Sequence, residues 1–279
     1  MTTLAREPLR RVLLPLRILL GVAAVLVVIA GFQLFVLSAD TATYFAWTLA
    51  PPSAAVLGAN YWGSIPLVAA AMLAPDWRTA RVGLWSVLTF TTLTLVATLL
   101  HLDKFHFAAD SAISVTAAWA WLIVYVVVPP VLAILLLVQM RMPGPDAFPR
   151  APLPRPLAVL IGLIGVVLFA AGLALFFVPA WASAWWPWPL TPLAGQAIGA
   201  WPLAFAVAAA SILVENDLDG SFWPVVSFGL LGALQLVVVA RFADALDWSQ
   251  PAALVYIAFW AGVVLIGVVT AAAARPRRM

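Results

Sequence analysis

The chain contains no cysteine and few charged residues. Without cysteine, neither a disulfide framework nor a thiolate metal site can form, which excludes zinc-finger, iron–sulfur and thiol-redox proteins. Only 9% of the 279 residues are charged and 65% are hydrophobic, a composition far from that of a soluble domain. The sequence therefore predicts a protein that is surrounded mainly by lipid.

Long hydrophobic runs fill most of the sequence. Runs such as 21–37 and 159–178 are apolar on every side and about 20 residues long, which is enough to cross the roughly 30 Å hydrocarbon core of a bilayer. Continuous runs favour helices over a β-barrel, whose strands alternate between polar and apolar residues. We predict an all-α membrane protein with eight transmembrane helices, at about 12–38, 50–74, 82–101, 112–140, 157–179, 191–214, 222–241 and 251–274.

Arginine is concentrated in alternate loops, which predicts the orientation of the chain. Lys104 and Arg241 fall on one side of the predicted membrane, and Arg17 lies inside the first span near its basic end. Because loops rich in Lys and Arg face the cytoplasm, both termini are predicted to be cytoplasmic, and the net charge of +3 requires no nucleic-acid partner. The side predicted to face the cytoplasm, opposite Lys104 and Arg241, holds Arg6, Arg10, Arg11, Arg78, Arg81, Arg141, Arg150, Arg155, Arg275, Arg277 and Arg278.

A shift of 141 positions superposes the two halves of the chain. It aligns Gly31 with Gly172, Trp47 with Trp188 and other identical pairs. Each half contains an even number of predicted spans, so the sequence predicts two parallel four-helix repeats related by an axis along the membrane normal. The predicted division is 1–141 for the first repeat, 142–156 for a proline-rich cytoplasmic linker and 157–279 for the second repeat.

Helix-weakening residues occur at corresponding places in the second and sixth spans, at 58–66 and 195–202. Proline frees a backbone carbonyl and glycine admits close approach, so matched interruptions of this kind indicate a binding site in a duplicated membrane fold. The alternative is that small residues, prolines and hydroxyls serve helix packing. The ligand-binding candidates at these segments and on the facing spans are Asn60, Gln196, Trp201, Thr94 and Gln235.

No Asp, Glu, Lys, Arg or His lies near the middle of any predicted span. Proton-coupled pumps and voltage sensors need such groups, because a titratable or charged side chain within the membrane carries or senses the charge. A transported solute would therefore be neutral or lipid-like, or its transport would be coupled through backbone carbonyls.

Both histidines occur in the loop 101–110. Imidazole and carboxylate are zinc ligands, so His101, Asp103 and His106 are candidates for an extracytoplasmic metal site. On a helix the two histidines would point apart, so such a site requires an irregular loop. The alternative is a solvated interfacial turn. Both histidines lie in one loop, so they cannot provide haem ligands on facing helices.

Aromatic residues crowd the predicted outer boundary, with Trp185 and Trp188 at its densest point. Trp prefers the membrane interface, so an anchoring belt is the ordinary interpretation. A platform for a bound lipid, a pigment ring or a partner helix is the alternative.

Three segments together resemble a set of uncharacterised integral membrane proteins from high-GC bacteria. They are Tyr44-Phe-Ala-Trp-Thr-Leu-Ala-Pro-Pro52, Gly58-Ala-Asn-Tyr-Trp62 and His101-Leu-Asp-Lys-Phe-His106. The resemblance covers mainly the first half and implies a bacterial plasma membrane, with no functional residues to carry over.

The sequence leaves three functions open. The first is a non-catalytic component of a membrane complex, either an accessory subunit or a binder of a lipid, pigment or other hydrophobic ligand. The second is a carrier or channel for a neutral or amphipathic solute. The third is an extracytoplasmic metal-dependent enzyme.

Overall fold

Eight long apolar helices form the molecule. The computed structural model describes residues 9–273, and each of these helices is long and apolar enough to cross a membrane. Two further helices of one turn, Thr41–Tyr44 and Pro179–Ser183, follow the first and fifth long helices. The predicted all-α membrane fold is confirmed. The long helices are α1 (Leu14–Phe35), α2 (Pro51–Leu73), α3 (Trp77–Leu100), α4 (Ala112–Met140), α5 (Arg155–Phe177), α6 (Pro192–Glu215), α7 (Phe222–Arg241) and α8 (Pro251–Ala273).

Local sequence signals set the helix ends. The Asp76 carboxylate accepts from Thr79 N and begins α3 five residues before the predicted start. The Thr191 hydroxyl caps α6 in the same way. At its other end α6 stops at Asn216, whose φ of 45° is left-handed and whose amide oxygen accepts from Leu153 N.

The predicted interruption of the second and sixth spans is wrong. Helices α2 and α6 run continuously past Pro66 and Pro202. Their glycines are packing positions instead: a methyl group at Gly58 would lie 2.3 Å from the backbone nitrogen of Phe35, and one at Gly199 would lie 2.9 Å from that of Phe176. Glycine is required there because neighbouring backbones approach too closely for any side chain.

Helices α2 and α6 are the central helices of the bundle. α1 packs along α2, and α5 packs along α6. Each central helix also crosses to the other half of the chain, because α2 packs against α7 and α6 packs against α3. The two halves therefore interlock.

Several element bounds recur 141 residues apart. The starts of α1 and α5 are related in this way, as are the starts of α2 and α6 and the ends of α3 and α7. The single-turn 3₁₀ helices Leu102–Lys104 and Ala243–Ala245 have the same spacing. These bounds agree with the spacing found in the sequence, while the duplication and the domain limits stay predictions.

The proline-rich segment between α4 and α5, residues 141–154, joins the halves and lies in an extended form against one end of the bundle. We call this segment the strap. Pro145 O accepts from Arg10 N, and Ala151 O accepts from Leu218 N. Asp146 in the strap forms an ion pair with Arg81, at 2.7 Å. The strap is thus held by both halves.

Charged residues tie α3 to α6 at this same end. Glu215 forms ion pairs with Arg78 and Arg81, and Arg17 donates to Met72 O and Ala74 O at the end of α2. We call this end of the bundle the basic end. Among the described residues its arginines are Arg10, Arg11, Arg17, Arg78, Arg81, Arg141, Arg150 and Arg155.

Replacing Gly58 with alanine should destabilise the protein, whereas Gly262→Ala should not. Overpacking a tight contact costs about 1–3 kcal/mol. A methyl group at Gly262 would meet nothing within 4 Å, so that change should gain up to about 1 kcal/mol of helix propensity. Thermal unfolding in detergent micelles measures both. Equal unfolding midpoints for the two variants would contradict the packing account.

Candidate functional site

A cleft of about 560 Å³ separates α1 from α4. Its floor is formed by α2, α3 and α6, which places it in the first half of the chain but against a central helix of the second. A volume of this size is typical of a small-molecule site. Its wall on α1 runs from Leu19 to Gln33, a rise of about 21 Å. We call this space the α1–α4 cleft.

The cleft is closed at both ends and open at the side. At the basic end, Leu16 and Leu20 of α1 belong to the same buried cluster as Leu132 and Leu136 of α4. At the opposite end, the short helix 41–44 contacts α4. A ligand would therefore enter the cleft through the lateral opening.

The rim of this opening is apolar and faces outward. The lining residues Val22, Ile29 and Ile113 are 54%, 51% and 52% exposed. These residues lie within apolar membrane-spanning helices, so the outward face is hydrocarbon rather than water. A molecule that enters through this side comes from the lipid.

Bulky side chains of α4 occupy the space between this helix and α3 along the cleft. Trp121 and Tyr125 of α4 line the cavity together with Thr91 of α3. The residues 141 positions later are Gly262, Ile266 and Gly232. There, α7 and α8 pack closely: a methyl group at Gly267 would lie 2.7 Å from the Cα of Gly229. Helices α3 and α4 therefore pack less closely than α7 and α8 do.

Aromatic rings surround the middle of the cleft. Phe90 and Trp201 lie against each other with centroids 3.9 Å apart, and Tyr61 meets Trp201 edge-on at 4.9 Å. Trp121 and Tyr125 complete the wall, 4.5 Å apart. Rings in these arrangements offer flat and edge surfaces suited to another ring or to a hydrocarbon chain.

Nearly all polar groups of the cleft bond within the protein. Ser86 Oγ donates to Ala204 O, Thr91 Oγ1 donates to Val87 O, and Ser64 Oγ donates to Tyr61 O. Trp121 Nε1 donates to Thr98 Oγ1, just beyond the lining. These groups need no partner from a bound molecule, so the cleft presents mainly apolar surface.

Two lining groups are exceptions: the indole N–H of Trp201, for which the described residues provide no acceptor, and a tyrosine pair. The hydroxyls of Tyr61 and Tyr125 lie 2.8 Å apart and share one hydrogen bond. Two hydroxyls carry two protons, and one shared bond uses only one of them. No other acceptor for these hydroxyls occurs among the described residues, so one buried O–H remains to donate.

Two of the sequence-predicted site residues, Asn60 and Gln235, meet each other away from the cleft. Gln235 Nε2 donates to Asn60 Oδ1 at 2.8 Å, and Tyr256 O–H donates to Gln235 Oε1 at 2.8 Å. All three side chains are buried. This chain of hydrogen bonds joins α2, α7 and α8 and provides partners for both ends of the Gln235 amide and for the Asn60 amide oxygen, as expected of an interhelical contact.

Gln196 links α6 to the end of α3. Its Nε2 donates to Phe176 O, so its Oε1 accepts from His101 Nε2 at 2.8 Å. Thr94 is buried on α3, and its hydroxyl has no hydrogen-bond partner among the residues that the structure describes. Of the predicted residues in the membrane interior, only Trp201 lines the α1–α4 cleft.

Trp185 and Trp188 have different surroundings. Trp185 is 64% exposed and contacts Trp181, as in an interfacial belt. Trp188 is buried and its Nε1 donates to Ser53 Oγ of α2. The two do not form one platform.

The three metal-ligand candidates also have separate partners. His106 Nδ1 donates to Phe45 O and its Nε2 is hydrogen-bonded to the Thr48 hydroxyl, while His101 is hydrogen-bonded to Gln196. The Lys104 ammonium, 2.8 Å from Asp103 Oδ2, lowers the pKa of that carboxyl. No group of three metal-ligating side chains meets anywhere in residues 9–273. The structure does not bring the proposed ligands together.

Sequence reasoning missed Tyr61 and Tyr125. Tyrosine in membrane proteins is enriched at the interfaces, yet these two lie near the middle of α2 and α4. That displacement is a signal present in the sequence, because a phenol at membrane depth needs a hydrogen-bond partner.

Comparisons of the chain with protein-family models, with curated proteins and with solved structures found no match.

Asn60 and Gln235 should be energetically coupled. In a double-mutant cycle with alanine at both positions, we expect a coupling of about 0.6–1.7 kcal/mol, since each single change removes the hydrogen bond that joins the two side chains. Unfolding in mixed micelles measures the free energies. Asn60 with Gln196 is the control pair and should give additive effects. Additivity for Asn60 with Gln235 would show that their hydrogen bond contributes nothing.

Proposed function

We propose that this membrane protein binds a lipid-soluble molecule in the α1–α4 cleft, either alone or as an accessory subunit of a larger membrane complex. The observation that carries the proposal is the lateral opening with its exposed apolar rim. A cavity of this size and lining would otherwise leave apolar surface unfilled, and bilayer lipid is the solvent next to it. A bound lipid or a pigment fits these properties.

The absence of charge from the cleft supports an uncharged ligand. None of its lining residues is Asp, Glu, Lys, Arg or His. An ionised ligand would lose its hydration without gaining a counter-charge, which costs several kcal/mol or more. The cleft therefore favours neutral molecules, or a lipid whose charged group stays at the membrane surface.

We further propose that the protein lies in a bacterial plasma membrane with the basic end in the cytoplasm. The gathering of arginines at that end supports this orientation. The N-terminal residues 1–8 and the C-terminal arginines, on which the predicted terminal orientation also depends, lie outside the described residues.

A carrier function has less support. The segments 58–66 and 195–202, which were expected to form the solute path, are continuous helices packed against their neighbours. Their amides Asn60 and Gln196 are bonded to protein groups. We therefore favour binding.

Filling the cleft should abolish ligand retention. Ala120 is an exposed lining residue of α4, and an indole at this position would occupy the opening. After gentle purification, mass spectrometry should find a hydrophobic compound near one per protein in the wild type and little in Ala120→Trp. The matched control is Ala170→Trp, on an exposed face of α5 away from the cleft, which should retain the compound.

Equal retention by all three proteins, or no retained compound in the wild type, would contradict the proposal. Circular dichroism and gel filtration of both variants establish that they are folded.

A further inference from the structure

The free phenolic proton of the tyrosine pair narrows the class of ligand, given the proposed binding function. Tyr61 and Tyr125 are 4% and 5% exposed, and both line the α1–α4 cleft. Buried polar hydrogens are almost always bonded, and no water competes in hydrocarbon. One donor therefore awaits an acceptor from whatever fills the cleft.

The depth of this donor in the membrane excludes an ordinary acyl chain as its hydrogen-bond acceptor. Tyr61 is the eleventh residue of α2 and Tyr125 the fourteenth of α4, so both lie near the membrane centre. Acyl chains carry no oxygen at that depth, because the ester groups of phospholipids lie at the interface. The ligand must carry an acceptor oxygen within its apolar body.

The aromatic side chains beside the donor favour a ligand that contains a flat ring. Phe90, Trp121 and Trp201 stand around the tyrosine pair, and aromatic faces and edges pack well against another flat ring. The rest of the cleft extends along α1 and is lined by aliphatic side chains, such as Leu26 and Val27, which suit a hydrocarbon tail.

We infer that the α1–α4 cleft binds a neutral, lipid-soluble ring compound that bears a carbonyl oxygen, and that the Tyr61–Tyr125 pair donates a hydrogen bond to this oxygen. A lipid-soluble quinone is the simplest member of this class. One tyrosine donates to the other, and the second donates to the ligand. The pair thus acts as a short relay of hydrogen bonds that positions the ring.

The test compares two probes of nearly the same shape. Menadione carries carbonyl groups on a fused ring, and methylnaphthalene lacks them. Binding to the full-length protein in lipid nanodiscs is measured by equilibrium dialysis, and empty nanodiscs correct for partition into lipid. The chain has no cysteine, so the quinone meets no thiol with which to react.

The deciding variant is Tyr61→Phe combined with Tyr125→Phe. A single replacement leaves one phenol, which can still donate, whereas the double replacement removes both donors. We expect the double variant to bind menadione about 3- to 10-fold more weakly, from the usual net value of one hydrogen bond, and to bind methylnaphthalene as the wild type does. Tyr256→Phe is the matched control, because Tyr256 is a buried tyrosine bonded to Gln235 outside the cleft, and it should leave both affinities unchanged.

Unchanged menadione binding in the double variant would overturn the inference. If both probes bind the wild type equally and both are lost in Ala120→Trp, the carbonyl preference is wrong while the apolar site remains. If neither probe binds above the empty nanodiscs, the binding function itself is contradicted.

Discussion

The hydrocarbon interior of a bilayer offers no hydrogen-bond partner, and the rest of this structure depends on that constraint. Most polar side chains on the spans bond to one another or to backbone carbonyls, as Ser86 does with Ala204 O and Gln235 with Asn60. These bonds cross between helices and so hold the two halves of the chain in register. Against that background, a phenolic proton without an acceptor beside a cleft at membrane depth needs an explanation.

The two halves of the chain differ in how tightly their last helix packs against the helix before it. In the second half, Gly229 and Gly267 let α7 and α8 approach within backbone contact. In the first half the residues 141 positions earlier are Leu88 and Val126, and the α4 face carries large rings. Side-chain volume at a few positions thus distinguishes the close contact of α7 with α8 from the looser contact of α3 with α4 beside the cleft.

Most of the fold followed from composition and hydrophobic run length, because a span must be apolar and about 20 residues long whatever its neighbours are. The bounds of α4 and α7 were predicted to the residue. The structural role of Gly58 and Gly199 could not be predicted, since glycine occurs both at helix breaks and at close helix contacts. Only the nearby backbones of Phe35 and Phe176 show that these two are packing positions.

The candidate site was harder to predict than the fold. Trp201 was identified, but Asn60 and Gln196 were assigned to a ligand when their amides are bonded to protein groups. A cleft arises from the distance between helices that are far apart in sequence, and no local pattern encodes that distance. The depth of Tyr61 and Tyr125 was the accessible sign, because it is fixed by position within a span.

A crystal structure of the protein, with crystals grown in a lipidic mesophase, tests most directly whether a ligand lies in the α1–α4 cleft. The account predicts elongated non-protein density between α1 and α4, with an oxygen atom at about 2.7–2.8 Å from the hydroxyl of Tyr61 or Tyr125. Direct contact of α4 with α1 along its whole length, with no space between them and both hydroxyls bonded to protein atoms, would contradict it.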